Sequence, residues 1–250
     1  MKKILLSLLL LIPFLATAEE QSAIKTLNYS INLSYKAYDV ADIVSTSASI
    51  NIPLSNYIGA NIIVYGAKAN TKYNDYELDT TLYGSAVSLF LRDSNIGKIG
   101  ASFAYAKSDN EYTFSDDLNL SAYHTASFYG GESKQYNYSL YGSYYINYFT
   151  ISVGMIHIVN KDNYFEEYNS WSAGGSYYLK ENTRFDVSTS GMDSDKKYTV
   201  GVVHQPSFLN NSIELGIKYS NYDFANSYSF FVYYHFNTEV TLKDRDREYR

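Results

Sequence analysis

The clearest pattern in the chain is a strict alternation of apolar and polar residues. From Leu27 to Lys36 every odd position holds Leu, Tyr or Ile, and every even position holds Asn, Ser or Lys. A period of two predicts a β-strand with one apolar face and one polar face. About ten residues at a rise of ~3.3 Å, tilted by ~40°, cross an apolar layer of roughly 25 Å. The segment therefore has the length and the pattern of a strand that spans a bilayer.

The same pattern recurs to the end of the chain and predicts about twelve strands. They lie near residues 27–36, 44–52, 57–66, 79–92, 97–107, 135–146, 149–159, 169–180, 183–190, 197–205, 211–220 and 227–236. The segments 57–66 and 79–92 are apolar on both faces and 183–190 is short, so strand counts of ten and fourteen are the alternatives to twelve. An even number places both ends of a barrel on one side.

The connections between these segments alternate between short and long. The short ones are rich in turn-forming residues and span 53–56, 93–96, 147–148, 181–182 and 205–210. The long ones span 67–78, 108–134 and 160–168. Because outer-membrane barrels have short periplasmic turns and longer outer loops, we predict that the long connections face outward.

Composition narrows the architecture. The chain has 29 tyrosines and 13 phenylalanines but only 3 prolines, and aromatic residues favour strands. After the first residues, no apolar run is long enough for a membrane-spanning helix. Since lipid offers no partner for free backbone groups, the remaining solution is an all-β, closed antiparallel up-and-down transmembrane β-barrel. A soluble β-sandwich is the alternative, and the aromatic residues at both ends of most segments favour the membrane barrel.

The first residues have the features of a secretory signal peptide. Lys2 and Lys3 precede an apolar run of roughly 12 residues that is too short to span a bilayer, and Ala16-Thr17-Ala18 is a small-residue cleavage site. We therefore predict a cleaved signal peptide over 1–18, the barrel over 19–236 and a charged, solvated periplasmic tail over 237–250.

Charge and cysteine content exclude several partners and sites. The signal peptide takes two lysines from the 20 basic residues of the chain, against 26 acidic ones, so the mature protein is acidic and nucleic acid is not expected as a partner. The chain has no cysteine, which excludes disulfides, thiolate metal sites and a lipoprotein anchor. No phosphate-binding loop, dinucleotide fingerprint or zinc spacing occurs, so we expect no cofactor and no metal.

The last predicted strand carries alternating apolar residues that close on phenylalanine: Tyr228, Phe230, Val232, Tyr234 and Phe236. It resembles the assembly signal of Gram-negative outer-membrane β-barrels. In size and strand number the chain is similar to small monomeric porins such as the oligogalacturonate and sialic-acid channels. The resemblance implies contact with outer-membrane lipid and lipopolysaccharide, insertion by the outer-membrane assembly machinery, and passage of small hydrophilic solutes.

Two features depart from that resemblance. Those channels line the lumen with many arginines, whereas this chain has only five, so specificity for acidic sugars is not carried over. Barrels of this class usually end at the terminal phenylalanine, whereas this chain continues from Asn237 to Arg250. Thr238, Val240 and Leu242 keep the parity of Phe236, so the last strand could also run on to Leu242.

Catalytic patterns of barrel enzymes are not matched, and we predict that the protein is not an enzyme. An outer-membrane phospholipase needs His and Ser two residues apart on a strand, and no His-x-Ser occurs among the four histidines. Omptin-like proteases need an Asp-His pair beside an acid pair. Asp193 and Asp195 could form the acid pair, but no Asp-x-His exists.

The predicted lumen is mostly Ser, Thr, Asn and Gly, with a few charged candidates for a pore lining: Lys36, Arg92, Lys98, Lys180, Arg184, Asp186, Glu214 and Lys218. A polar interior predicts a channel for passive diffusion of small hydrophilic solutes. The alternative is a non-conducting structural or adhesion barrel, because Tyr141, Tyr178 and Phe231 also point inward and could fill the lumen. Basic residues near the short turns predict a weak preference for anions.

Overall fold

The computed structural model describes residues 27–39, 41–73, 76–114, 131–161, 167–192, 195–222, 226–236 and 240–248. Within these ranges the chain forms twelve strands. They are β1 (Asn28–Tyr38), β2 (Ala41–Pro53), β3 (Ile58–Tyr73), β4 (Tyr76–Asp93), β5 (Gly97–Phe114), β6 (Gly131–Ile146), β7 (Phe149–Lys161), β8 (Glu167–Lys180), β9 (Thr183–Met192), β10 (Asp195–His204), β11 (Ile213–Tyr222) and β12 (Asn226–His235). A 3-10 turn (Ser207–Leu209) precedes β11, and a short helix, α1 (Leu242–Glu248), follows β12.

The strands form one closed antiparallel barrel in which each strand pairs with its neighbours in sequence. β1 and β12 close the ring, with Ile31 opposite Tyr234 and Leu33 opposite Val232. Closure leaves no sheet edge with unpaired backbone groups, which is the condition for a sheet to exist in lipid. The predictions of a closed up-and-down barrel and of twelve strands are confirmed.

The two ends of the barrel differ. We call the end that carries the connections 54–57, 94–96, 147–148, 181–182 and 205–212 the turn end, and the opposite end, which carries the longest connection, 115–130, the loop end. Asn147, Asn210 and Asn211 have positive φ angles of 51°, 52° and 56°, a conformation that Asn tolerates better than most residues. The predicted short turns are all found at the turn end.

The wall is taller on one side than on the other. β3 to β6 have 16, 18, 18 and 16 residues, whereas β9 to β12 have 10 each. The predicted long loop at 67–78 is therefore largely strand, with β3 reaching Tyr73 and β4 beginning at Tyr76, and the predicted loop at 108–134 is strand at its two ends, where β5 reaches Phe114 and β6 begins at Gly131. Strand pairing continues beyond the membrane-crossing length, up to Tyr73 opposite Tyr76 and Tyr76 opposite Phe114, and residues 74–75 and 115–130 of these two connections lie outside the described ranges.

The alternation of the sequence separates the two faces of the wall as predicted. On β1 the exposed fraction is 47% at Ile31 but 7% at Ser30. The outward face is an apolar band, with aromatic side chains exposed at the turn end, among them Tyr57, Tyr148, Phe149, Phe208 and Phe236. Inward hydroxyls bond across strands, as in Ser30 to Ser49 at 2.7 Å. The barrel therefore has an apolar outer face and a polar inner face.

Two predictions about the chain ends have different outcomes. The predicted signal peptide, residues 1–18, lies outside the described residues. The extension of the last strand to Leu242 is not observed, because β12 ends at His235 and Leu242 begins α1. No helix in the described part of the chain is long and apolar enough to cross a membrane.

Candidate channel lumen

The described residues enclose a larger and a smaller cavity in the lumen. The larger, of about 470 Å³, is lined by β5 to β11 together with side chains of α1. The smaller, of about 310 Å³, is lined by β1 to β6, β12 and Arg245, and Tyr141 borders both. The wall of the larger cavity is rich in small residues, including Ser152, Gly154, Ser172, Gly174 and Ser188. These short side chains leave room for water and small solutes.

Some of the inward aromatic rings lie over glycines of the barrel wall. Tyr141 lies over Gly100 of the adjacent strand, where an added Cβ would come 2.5 Å from the tyrosine Oη. Phe231 lies over Gly216 in the same way, with an added Cβ 2.0 Å from the ring. Each glycine accepts a ring because it has no side chain of its own. This pairing explains how a barrel with many inward aromatic residues still contains cavities.

Four of the eight predicted lining residues meet at the larger cavity: Lys98, Arg184, Asp186 and Lys218. Arg184 Nε donates to Asp186 Oδ1 at 2.7 Å and Arg184 Nη2 donates to Asp186 Oδ2 at 2.9 Å. Lys218 Nζ lies 5.2 Å from the centre of the Phe231 ring. Together with Arg247 of α1, the cavity has four basic side chains and the two acidic ones Asp186 and Asp246.

The other four predicted lining residues lie elsewhere. Arg92 is buried at the turn end opposite Lys98, and Glu214 Oε2 is 3.1 Å from Nε2 of the buried His235. Lys36 is near the loop end, where Nζ donates to Tyr222 Oη at 2.9 Å. Lys180 is exposed and does not border either lumen cavity, because a bulge between Tyr178 and Lys180 changes the register and pairs Lys180 with Thr183. A single extra residue thus reverses the face that simple alternation predicts for Lys180.

The main feature that the sequence prediction missed is α1, which lies inside the turn end. Leu242 is fully buried in a cluster with Tyr178, Val203 and Phe231, and Arg245 is only 1% exposed. This part of the tail is therefore packed into the barrel mouth, whereas the sequence predicted a solvated tail. Residues 237–239 and 249–250 of the tail lie outside the described ranges.

Contacts from α1 reach three of the turns and the base of β5. Lys243 N donates to Glu181 O at 2.9 Å, and Arg245 Nη2 donates to Asn211 O at 3.4 Å. Arg247 donates to the carbonyl oxygen of Asn147, and Lys98 Nζ donates to Asp246 O at 3.2 Å. The helix therefore extends across the opening instead of lying along one side of it.

A local signal for this helix is present in the sequence. Thr241 and Asp244 have the Thr-x-x-Asp spacing of a capping box, and Asp244 N donates to Thr241 Oγ1 at 3.3 Å while Thr241 Oγ1 donates to Asp244 Oδ2 at 2.8 Å. Val240 and Leu242, the apolar residues beside this box, are both buried. A helix start was therefore readable, although its position in the lumen was not.

The residues of the predicted assembly signal form the outward face of β12. Tyr228, Phe230, Tyr234 and Phe236 are 61%, 51%, 46% and 51% exposed, and Val232 lies between them on the same face. Tyr234 and Phe236 pack edge to face with ring centres 4.9 Å apart. This surface is the one that a membrane barrel presents to lipid.

Solved structures that match this architecture include outer-membrane β-barrels. The translocator domain of the autotransporter NalP from Neisseria meningitidis matches with a TM-score of 0.63 at 9% identity, covering 94% of this chain and 95% of that one. A KdgM porin in complex with disordered oligogalacturonate matches with a TM-score of 0.57 at 9% identity, covering 82% and 98%. The chain has the fold of an outer-membrane β-barrel. An outer-membrane channel from Pseudomonas putida F1 also matches, with a TM-score of 0.59 at 9% identity, covering 88% and 100%.

No protein-family model and no curated protein matches the sequence. At identities this low, the structural matches show the fold alone. The resemblance to small twelve-stranded porins is thus confirmed at the level of architecture. Within the described ranges, no group of three His, Cys, Asp or Glu side chains lies close enough to hold a metal ion.

Proposed function

We propose that the protein is a porin-like channel of the outer membrane that lets small hydrophilic solutes diffuse passively. The observation that carries this proposal is the larger lumen cavity, about 470 Å³, with its wall of small polar residues. A barrel that served only as a scaffold would be expected to fill this space with side chains, as eight-stranded barrels do. Here Tyr141 and Phe231 lie over Gly100 and Gly216, and the described residues leave this cavity between them.

The outward surface supports insertion in the outer membrane. Large apolar side chains such as Leu89, Leu140 and Val153 are more than half exposed, which is unfavourable in water and favourable in lipid. The turn end would face the periplasm and the loop end would face lipopolysaccharide, since the longest connection, 115–130, joins β5 to β6 at the loop end and long loops are external in barrels of this kind. This proposal includes export by the signal peptide 1–18 and recognition of the β12 aromatic face by the assembly machinery.

Structural neighbours support a channel without identifying the solute. The matched KdgM structure contains oligogalacturonate, and another match, with a TM-score of 0.56 at 9% identity, is a mutant of the TodX monoaromatic hydrocarbon channel. These barrels carry solutes of very different polarity. The polar wall of the present lumen favours hydrophilic solutes.

A second candidate function is a non-conducting structural or adhesion barrel, and the tall wall of β3 to β6 favours it. These strands have 16 to 18 residues, more than a bilayer requires, so they would project beyond the membrane at the loop end. If adhesion is the function, deleting residues 115–130 should abolish binding to cells or matrix and leave the barrel folded. Deletion of 162–166 is the matched control.

Planar-bilayer recording tests the channel proposal directly. The purified, refolded protein should give stepwise increases in current, and these steps should be absent from a mock preparation carried through the same purification. Liposome swelling with sugars of increasing size then measures the solute limit. Absence of steps and of swelling, from protein whose gel migration shows a folded barrel, would reject the channel in favour of the structural barrel.

A further inference from the structure

The helix α1 closes part of the opening at the turn end, and polar groups from several strands hold it there. Asp246 accepts hydrogen bonds from Tyr178 Oη at 2.9 Å and from Arg184 Nη1, both through Oδ2. Arg247 lies 4.7 Å above the Tyr145 ring and donates to the Phe149 carbonyl at 3.3 Å. These contacts involve strands on one side of the mouth, whereas Arg245 borders the smaller cavity on the other side.

The contacts of Asp246 resemble those of a bound carboxylate. Asp186 binds Nε and Nη2 of Arg184, so Nη1 is the group of this guanidinium that is directed at the helix. Two donors from neighbouring strands, Arg184 on β9 and Tyr178 on β8, meet on one carboxylate oxygen. Charge-assisted hydrogen bonds to a carboxylate are stronger than neutral ones and fix its position. The wall thus contains a preformed carboxylate site that the protein's own tail occupies.

The wall holds the helix through polar contacts and one small apolar cluster. Of the side chains of α1, Leu242 joins the buried cluster, whereas Lys243, Arg245, Asp246 and Arg247 make hydrogen bonds or ion pairs with the barrel. None of these contacts belongs to the pairing of the twelve strands, so displacement of the helix would leave the closed barrel intact.

We propose that α1 is a plug for the turn end of the channel, and that Asp246 occupies a site, formed by Arg184 and Tyr178, that binds the carboxylate of a solute once the plug is displaced. This inference rests on the proposed channel function. It assigns the tail, which follows the strand that closes the barrel, a role in restricting flow. It also names the solute group that the open lumen recognises.

Removal of the plug is the first test. A variant that lacks residues 237–250 should conduct with steps several-fold larger than those of the full chain. Asp246→Asn keeps the chain length and should raise the fraction of time spent in the larger state. Asp42→Asn is the matched control, because Asp42 is an exposed aspartate at the loop end whose Oδ1 accepts from Tyr35 at 2.7 Å.

A disulfide lock tests the same movement without deleting residues. The chain has no cysteine, and Lys243 N lies 2.9 Å from Glu181 O, so Glu181→Cys with Lys243→Cys can be oxidised selectively. Small steps should persist in the oxidised double variant and larger openings should appear on reduction. Each single variant, treated with the same oxidant and reductant, is the control for effects of the reagents.

The carboxylate site is tested in the tail-deleted variant. Succinate added on the turn-end side should reduce its current in a saturable way, and chloride at equal ionic strength should not. Tyr178→Phe removes one donor from the site and should weaken the block several-fold. Tyr65→Phe, at a tyrosine that does not border either lumen cavity, should leave the block unchanged.

The outcomes separate the two proposals. Equal conductance of the full and tail-deleted chains would overturn the plug, and if both conduct, the channel proposal stands without it. Larger steps after deletion together with equal succinate block in Tyr178→Phe would overturn the carboxylate site. Absence of current from both chains, each shown to be folded, would overturn the plug and the channel together.

Discussion

Neighbouring residues on one strand of this barrel face opposite sides of the wall, one outward and the next into the lumen. The effect of a substitution therefore depends more on whether the position is odd or even along the strand than on the residue type introduced. Ile217 is 57% exposed on the outward face of β11, and the next residue, Lys218, borders the larger lumen cavity. A shift of register by one residue would exchange the two faces of the whole strand. The pairing of Ile217 with Phe230 and of Lys218 with Ser229 maintains this register.

Arginine on the outward face should therefore be far more harmful than arginine in the lumen. Ile217→Arg places a charge near mid-depth in lipid and should cost roughly 2–4 kcal/mol in folding free energy. Ser139→Arg, at a partly buried inward position of β6, should be tolerated. Urea unfolding in lipid vesicles, followed by the difference in gel migration with and without boiling, measures both. Equal losses would show that the assigned faces are wrong.

The pairing of inward rings with glycines also leads to a residue-level prediction. In Gly100→Ala the new Cβ would lie 2.5 Å from Tyr141 Oη and 2.8 Å from the Leu89 carbonyl oxygen. Relief of this crowding moves the ring toward the lumen, so we expect lower conductance and a loss of about 1–3 kcal/mol from overpacking. Gly142→Ala is the control, since its Cβ would only approach the Lys98 carbonyl at 3.7 Å. Equal conductance of the two variants would contradict the proposed position of the ring.

At the scale of elements, the features that could be predicted from the sequence are those set by the alternation of apolar and polar residues. Most of the strands and the short turns follow from period-two patterns and turn-forming residues, because each strand must place its apolar side chains in lipid. Strand ends at the loop end were placed too early, as at Ala67 and Ser108. Beyond the membrane both faces meet water, so the contrast between faces, which carried the prediction, disappears there.

The candidate site was predicted only in part, for a similar reason. Lys98, Arg184, Asp186 and Lys218 border the larger lumen cavity, and they lie on regular strands, where alternation assigns the faces. Lys180 was misplaced because a bulge is a tertiary irregularity that leaves no mark in the periodicity. The tail helix was missed because a charged segment is usually solvated, and here the barrel supplies partners such as the carbonyl of Asn147 that the segment alone does not reveal.

For the whole molecule, the charge that lines the lumen has the opposite sign to the net charge of the chain. The chain has a formal net charge of −6, yet the larger cavity has four basic side chains against two acidic ones. Charges that line a narrow path act on a passing ion at short range, whereas exposed charges are screened over ~8 Å at physiological salt. The excess of positive charge inside the lumen should therefore dominate ion preference despite the acidic sequence.

We accordingly expect a weak preference for anions that depends on Lys218. Among the basic residues of the larger cavity, Lys98, Arg184 and Arg247 also hold α1 in place, so changing them would alter the plug and the selectivity together. Lys218 has its Nζ against the Phe231 ring, and Lys218→Gln removes one positive charge from the cavity wall. The reversal potential in a salt gradient should move toward the cation value, and the shift should be larger at low salt because screening is then weaker.

Lys68→Gln is the matched control, since the Lys68 side chain is 65% exposed and pairs with Asp79 near the loop end. A larger shift in Lys68→Gln than in Lys218→Gln would place the selective constriction at the loop end instead of in the larger cavity.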